Sequence, residues 1–157
     1  MELVNGEIIE RSPIGKRHAA CVGRLTQVIA LLIQRTAILR VQNPVLLDDH
    51  SEPQPNITVL KPRADFYEQS MPTPADVLLV IEVSDTTLAY DRRVKVLLYA
   101  RAGIPETWVV NLVDDPIEAH SDLSGGAYQA IDSCARGDEM QSRALPTLHV
   151  SVAEVLG

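Results

Sequence analysis

Hydrophobic and polar residues follow one another with a period that changes along the chain, and this pattern predicts the order of its elements. Short β-prone runs flank Asn5-Gly6, a pair that suits the two positive φ angles of a tight hairpin turn. From about Lys16 to Arg35, apolar residues recur at the three- and four-residue spacing of one broad helical face. The pattern therefore predicts an N-terminal hairpin, a break at Ser12-Pro13-Ile14-Gly15 and a long amphipathic helix.

The segment Val77–Val83 is the most apolar strand-like part of the chain. Its continuous apolar run, without alternation, predicts a central strand that is covered on both faces. A helix is predicted from about Tyr90 to Ala102, since Gly103-Ile104-Pro105 is a typical helix end. The remaining segments predict short strands, a second hairpin with Gly125-Gly126 at its turn, and a final strand or helix: 37–47, 56–60, 106–112, 117–120, 127–131 and 145–156.

This order predicts one α/β domain over residues 1–157, built on a mixed β-sheet flanked by helices, with N-terminal and C-terminal β-hairpins. No segment approaches the roughly 18 uninterrupted apolar residues of a membrane span. The first residues have neither the basic head nor the apolar middle of a signal peptide. The two cysteines, Cys21 and Cys134, form no disulfide framework, so we expect a cytoplasmic protein without a membrane association.

The charge balance is acidic. Fourteen lysines and arginines stand against 21 aspartates and glutamates, which gives a net charge of −7 and a sequence pI near 5.0. A protein that coats nucleic acid by bulk attraction would normally carry the opposite sign, so the charge balance argues against that class. A local basic groove or a metal-bridged phosphate site remains compatible with this balance.

Glu82 is the most informative residue, because it stands late in the apolar central strand. A charge there has to be paired, bound to a metal or neutral. In the following helix, Arg92, Lys95 and Tyr99 share one side by their spacing, which would aim Lys95 at the end of the strand that carries Glu82. A carboxylate and a lysine together suit metal-assisted hydrolysis of a phosphodiester. The plain alternatives are a strand-end glutamate that reaches solvent or an arginine, and a solvated helix lysine.

Other chemically active side chains have simpler interpretations. His18 is expected either to make a hydrogen bond at the start of the first helix or to contact a phosphate there. Cys21 is expected to be packing within that helix. Trp108 and Tyr99 are expected to be core aromatics and not platforms for base stacking.

Two blocks of motifs carry a family resemblance. The first block contains Leu3-Val4-Asn5-Gly6-Glu7-Ile8, Ser12-Pro13-x-Gly15-x-x-His18 and Pro55-Asn56-Ile57-Thr58-Val59. The second contains Glu82-Val83-Ser84-Asp85, Tyr90-Asp91-Arg92-x-x-Lys95, Leu98-Tyr99-Ala100 and Gly103-Ile104-Pro105-Glu106-x-Trp108-Val109-Val110. With these motifs in order over about residues 2 to 130, the chain resembles the bacterial “putative restriction endonuclease” family (domain of unknown function 820) of the PD-(D/E)XK nuclease superfamily.

The resemblance implies a restriction-endonuclease-like sheet and a DNA endonuclease site that uses Mg²⁺ or Mn²⁺. Carried over by position, the catalytic residues are Glu82, Lys95 and Asn56, and the metal ligands are Glu82 and Asn56. Asn56 stands where the family has an aspartate. Since an amide brings no negative charge, we expect weaker metal binding and catalysis. The resemblance also gives Glu7 an auxiliary metal role.

Asn56 leaves several interpretations open. The chain is a degenerate nuclease, carries an inactivating substitution, or compensates with another acid: Glu7, Asp48, Asp49 or Glu52. Two functions follow, namely an impaired metal-dependent endonuclease of double-stranded DNA, or an inactive nuclease-fold module that binds nucleic acid or a protein partner. A homodimer is expected by analogy with nucleases that cut both strands. Basic residues expected to face the phosphates are Arg92, Arg93 and Lys95, with Lys16, Arg17 and Arg24 as additions.

Overall fold

A computed structural model of the protein describes residues 1–11 and 13–157. Ser12, the first residue of the predicted break before the long helix, lies outside the described residues. The elements in chain order are β1 (Glu2–Val4), β2 (Glu7–Ile9), α1 (Lys16–Ile33), β3 (Ile38–Val41), β4 (Ile57–Leu60), β5 (Val77–Ser84), α2 (Leu88–Tyr90), α3 (Val96–Ala102), β6 (Thr107–Asn111), β7 (Ile117–Ser124), β8 (Ala127–Cys134), β9 (Glu139–Gln141), β10 (His149–Ser151) and α4 (Val152–Leu156). A 3₁₀ turn, Pro74–Asp76, precedes β5, and a π-helical segment, Asp91–Lys95, joins α2 to α3.

The central sheet has six strands in the order β3-β4-β5-β6-β7-β8. Strands β5 and β6 run parallel, and each of the other neighbouring pairs is antiparallel. Two further antiparallel pairs, β1 with β2 and β9 with β10, lie outside this sheet. The second hairpin, predicted at Gly125-Gly126, is formed by β7 and β8 at one edge of the sheet. The predicted α/β class with a mixed sheet, flanking helices and terminal hairpins is therefore confirmed.

Both faces of β5 are covered, as its continuous apolar sequence predicts. On one face, Leu25 and Ile29 of α1 pack with Ile81 of β5 and Trp108 of β6, all four fully buried. On the other face, Val80 belongs to a second buried cluster, which also contains side chains from the segment that follows β5. Of the helices within residues 1–11 and 13–157, none has both the length and the apolar content that a membrane crossing needs.

The first hairpin turns at Asn5 and Gly6, whose φ angles are 49° and 81°, as the Asn-Gly pair predicts. The hairpin is fixed to the segment that precedes β4. The backbone groups of Leu3 and Glu52 bond each other in both directions, at 3.3 and 2.7 Å, and the Gly6 N–H donates to the His50 carbonyl at 2.7 Å. These bonds hold β1 close to the end of β5, although the two strands are far apart in sequence.

Candidate active site

A cavity of about 290 Å³ opens at the carboxyl end of β5. Three parts of the chain enclose it: the first hairpin, the start of α1 and the segment between β5 and α3. The ionisable and amide side chains in its wall include Glu2, Arg11, His18, Asn56, Glu82 and Lys95. The structure thus brings together Glu82, Lys95 and Asn56, the three residues that the sequence predicts for the site.

Asn56 and Glu82 are neighbours on one face of the sheet. Ile57 of β4 pairs with Ile81 of β5, and the two strands are antiparallel. Asn56, which directly precedes β4, therefore lies opposite Glu82. The Asn56 Oδ1 atom accepts a hydrogen bond from the Val83 backbone N–H at 2.8 Å. The amide oxygen, which is the atom able to ligate a metal ion, is therefore already engaged by the strand beside it.

Glu82 and Lys95 form a buried ion pair. The Lys95 Nζ atom lies 2.8 Å from Glu82 Oε1 and also 2.8 Å from Glu2 Oε1, and all three side chains are at most 6% exposed. The Tyr99 hydroxyl donates to the same Glu82 oxygen at 2.5 Å. Lys95 is thus a bridge between two carboxylates from distant parts of the chain, and Tyr99 fixes one of them.

The π-helical segment Asp91–Lys95 explains how one side of this helical region reaches the site. Four residues of α-helix pass a full turn by about 40°. Four residues of the wider π-helix fall short of a full turn by roughly the same amount. The step from Asp91 to Lys95 spans the π segment, and the step from Lys95 to Tyr99 leads into α3. The two deviations in rotation angle therefore cancel, so Asp91, Lys95 and Tyr99 lie on one side of this helical region. Asp91 accepts hydrogen bonds from the hydroxyls of Ser84, at 2.5 Å, and Thr87, at 2.8 Å.

Burial and mutual charge shift the pKa values in this cluster. Burial raises the pKa of Glu82, with a further contribution from Asp91, against the opposing attraction of Lys95. Burial also raises the pKa of Asp91, again against Lys95. For Lys95, burial works toward a lower pKa, but the carboxylates of Glu82, Glu2 and Asp91 outweigh it and raise the pKa. For Glu2, burial works toward a higher pKa, but Lys95 and the neighbouring donors lower it.

Comparison with known proteins gives a match to the Uma2 family, described as “Putative restriction endonuclease”, over residues 1–153. The chain belongs to the Uma2 family. Among solved structures, it is similar to a putative nuclease of DUF820 from Anabaena variabilis ATCC 29413, with a TM-score of 0.75 and 16% sequence identity over 99% of this chain and 88% of that chain. At this identity, the likeness shows the fold. No curated protein matches the chain.

Glu2 is the residue of this Uma2 site that sequence reasoning missed. The acid predicted from the same hairpin was Glu7, which is exposed and is not part of the cavity wall. Among the described residues, the cavity wall also does not include the three loop acids considered as substitutes for an aspartate, Asp48, Asp49 and Glu52. The carboxylate that lies nearest to the Glu82–Lys95 pair in the first hairpin therefore comes from β1.

The predicted basic face is divided in the Uma2 structure. The Nε and Nη2 atoms of Arg92 both donate to the carboxylate of Glu118 in β7. Lys95, by contrast, is buried against Glu2 and Glu82. The prediction that Arg92 shares a side with Lys95 and Tyr99 is wrong, because the π-helical segment places Asp91, and not Arg92, on that side. Two other arginines of the predicted face are bonded within the fold, Arg17 to Asp115 and Arg24 to the carbonyls of Val155 and Leu156.

The other chemically active side chains considered in the sequence lie either in the cavity wall or in the core. His18 lies in the cavity wall, and its buried Nδ1 atom has no hydrogen-bond partner among the described residues. Cys21 is fully buried in the core, where burial raises its pKa to about 11, so its thiol is inert at neutral pH. Trp108 is fully buried, as predicted. Tyr99 is also buried in the core, but its hydroxyl serves the site through Glu82.

The residues present do not fit a firmly held Mg²⁺ ion. Mg²⁺ needs oxygen ligands in near-octahedral geometry, with carboxylates supplying the charge. Here the Asn56 oxygen accepts the Val83 N–H, and the Lys95 ammonium stands between Glu2 and Glu82. Within residues 1–11 and 13–157, no group of three or more His, Cys, Asp or Glu side chains is arranged to hold a metal ion. An ion between Glu2 and Glu82 would have to displace the ammonium.

Proposed function

We propose that this Uma2 protein is a DNA endonuclease domain whose hydrolytic activity is attenuated at Asn56. The observation that carries the proposal is the buried Glu82–Lys95 ion pair, 2.8 Å long, at the end of the central strand and in the wall of the cavity. A buried, charged pair in a cleft is typical of a functional site. Its position within the Uma2 motifs makes a phosphodiester the expected substrate.

The side chains of the chain itself have distinct roles in this proposal. The Lys95 ammonium presents a positive charge to a phosphate oxygen, where it offsets the negative charge that develops during hydrolysis. Glu82 keeps that ammonium at the end of β5, and Tyr99 keeps the Glu82 carboxylate in place. Positioned charge of this kind acts strongly where the charged side chains are buried, as those of Lys95 and Glu82 are.

Asn56 limits the reaction because it removes one negative charge from the site. We propose that Mg²⁺ or Mn²⁺, which the family resemblance implies, is bound usefully only when residue 56 is an aspartate. The charge and number of the oxygen ligands determine the affinity of a protein for such hard cations. Asn56→Asp should therefore increase cleavage by about tenfold or more, the order of effect found when groups that support a metal site are changed.

Cleavage of supercoiled plasmid DNA tests this proposal. The native chain, Asn56→Asp and Asn56→Asp with Lys95→Ala are compared in Mg²⁺, in Mn²⁺ and in EDTA. We expect faster metal-dependent nicking by Asn56→Asp, and its loss when Lys95 is removed. An Asn56→Asp chain that folds like the native protein but shows no nicking dependent on Lys95 would refute the endonuclease proposal.

A second function is a nuclease-fold module that binds DNA without cutting it. This alternative is favoured by the engaged Asn56 oxygen and by the absence, within the described residues, of a three-ligand metal group. It predicts that the native chain binds a DNA duplex in EDTA, that Asn56→Asp binds it no more tightly because of its added negative charge, and that neither chain cuts it in Mg²⁺. The plasmid experiment therefore separates the two functions.

The partner in both cases is double-stranded DNA, bound weakly because the net charge of the chain is −7. Such binding should weaken as salt is added. Since the slope of log K against log salt scales with the number of phosphate contacts, a site that makes few of them should give a shallow slope. A homodimer is proposed because two sites are needed to cut both strands. Light scattering of the full chain at increasing concentration, with and without a DNA duplex, measures this association.

A further inference from the structure

Glu2 makes a long-range contact with Lys95. It lies 93 residues from Lys95 in sequence, and its Oε1 atom accepts a hydrogen bond from the Lys95 ammonium at 2.8 Å. The side chains of Glu2 and Lys95 are 6% and 3% exposed. Exposed ion pairs contribute little and are loosely held, but a buried pair of this geometry fixes both partners.

The chain holds the Glu2 carboxylate in place from several directions. The backbone N–H of Gln54 donates to Glu2 Oε1 at 2.7 Å, and the Arg11 Nε atom lies 3.4 Å from Glu2 Oε2. The backbone of the next residue, Leu3, is paired with Glu52. The carboxylate is therefore built into the junction between the first hairpin and the segment that precedes β4.

This contact reduces what Lys95 can offer to a phosphate. An ammonium has three N–H donors, and the carboxylates of Glu2 and Glu82 face two of them. The negative charge of Asp91 also acts on this ammonium, so the group carries an excess of negative charge. A phosphate that enters the cavity therefore meets repulsion from the acids and a lysine that is largely committed to them.

We propose that Glu2 is a positioning residue that withholds Lys95 from DNA phosphate and thereby sets the strength of phosphate binding in this site. The proposal rests on the proposed function, because it takes a DNA phosphate as the ligand. Glu2 acts through Lys95 and not by its own contact with the ligand. Neutralising Glu2 should release the ammonium to a phosphate, and this effect should vanish when Lys95 is also removed.

Equilibrium binding of a fluorescent 20-base-pair DNA duplex in EDTA measures this effect without cleavage. The full chain is compared with Glu2→Gln, Lys95→Gln and the double variant over a series of salt concentrations. Glu7→Gln serves as the matched comparison, because it removes the same charge from an exposed position of the same hairpin and so reports long-range attraction alone.

Glu2→Gln is expected to bind about tenfold more tightly at low salt and to steepen the slope of log K against log salt by about one, the change due to one additional phosphate contact. Glu7→Gln should give a smaller gain in affinity and no change in slope. Glu2→Gln in the Lys95→Gln background should give no change in slope. The proposal is overturned if Glu2→Gln and Glu7→Gln behave alike, or if the slope rises equally without Lys95.

A second variant keeps the test decisive if Glu2→Gln fails to fold, as judged by loss of cooperative melting. Glu2→Asp retains the charge but has a side chain one methylene shorter, so it draws back from the ammonium. Its salt slope should also rise by about one, and an unchanged slope contradicts the proposal. A failure of every chain, including Glu2→Gln, to bind the duplex would instead refute the proposed DNA function.

Discussion

Replacing Lys95 with methionine removes the ammonium from a cluster of buried acids while it retains most of the side-chain volume. Lys95 is 3% exposed, and it contacts Glu82 and Glu2, which are 2% and 6% exposed. Methionine leaves these two carboxylates and Asp91 close together with no ammonium between them. Removing one partner of a buried ion pair typically destabilises a protein by about 3–5 kcal/mol, because the other charge stays buried.

The loss should depend on pH in a defined direction. The pKa of Glu82 is already raised by burial, and it should rise further without Lys95. A carboxyl group whose pKa is higher in the folded than in the unfolded chain contributes stability below its unfolded pKa, and that stability is lost as pH rises through the folded pKa. The stability of the Lys95→Met chain relative to the native chain should therefore improve as pH is lowered from 7 toward 5.

Urea titration measures both effects, with the fluorescence of the single, fully buried Trp108 as the probe of unfolding. At pH 7 the expected loss corresponds to a melting temperature lower by about 6–20 °C for a chain of this length. The matched control is Lys61→Met, which removes the same charge from an exposed position. A loss under about 1 kcal/mol at pH 7, or an equal loss at pH 5 and pH 7, would refute the assignment of Lys95 as the buried counter-ion of Glu82.

Two further predictions concern residues that hold the site and the chain in place. Tyr99→Phe removes the hydroxyl donor from Glu82, so it should lower the free energy of unfolding, measured by urea titration, by about 1.5–3 kcal/mol. It should also raise the pKa of Glu82, measured by carboxyl-carbon NMR, and an unchanged Glu82 pKa would count against the contact. Glu106→Gln should destabilise by about 2–4 kcal/mol, since the buried carboxylate accepts bonds from the indole N–H of the single tryptophan and from three donors in segment 142–144. The exposed Glu154→Gln is its control, and equal melting of the two variants would contradict the prediction.

The parts of the fold that the sequence predicts correctly have local causes. The Asn5-Gly6 turn follows from two residues that tolerate a positive φ, and the φ angles of 49° and 81° agree. The continuous apolar run of β5 follows from burial on both faces. Strand β9 was missed because it has only three residues, and its pairing with β10 depends on a contact across the intervening loop. Local pattern carries no information about such a contact.

The contacts of the site likewise include some that the sequence could predict and some that it could not. The Glu82–Lys95 contact could be expected, because a strand and the helix that follows it are adjacent in space and in sequence. Glu2 could not be expected, since it reaches Lys95 only through the pairing of the first hairpin with the segment that precedes β4. The position of Arg92 also could not be predicted from the sequence pattern, because an α-helical spacing of 3.6 residues does not apply within a π-helical segment.

The amide of Asn56 preserves the local structure while it removes charge. An aspartate oxygen at the same place could accept the same Val83 N–H, so this hydrogen bond does not distinguish the two residues. Charge does distinguish them, because an aspartate would add a fourth acid to Glu2, Glu82 and Asp91 around a single lysine. Such crowding raises the pKa values of the acids and destabilises the folded chain unless a cation offsets it. Asparagine therefore favours stability without a metal ion, and the restored aspartate in Asn56→Asp should favour activity at the expense of that stability.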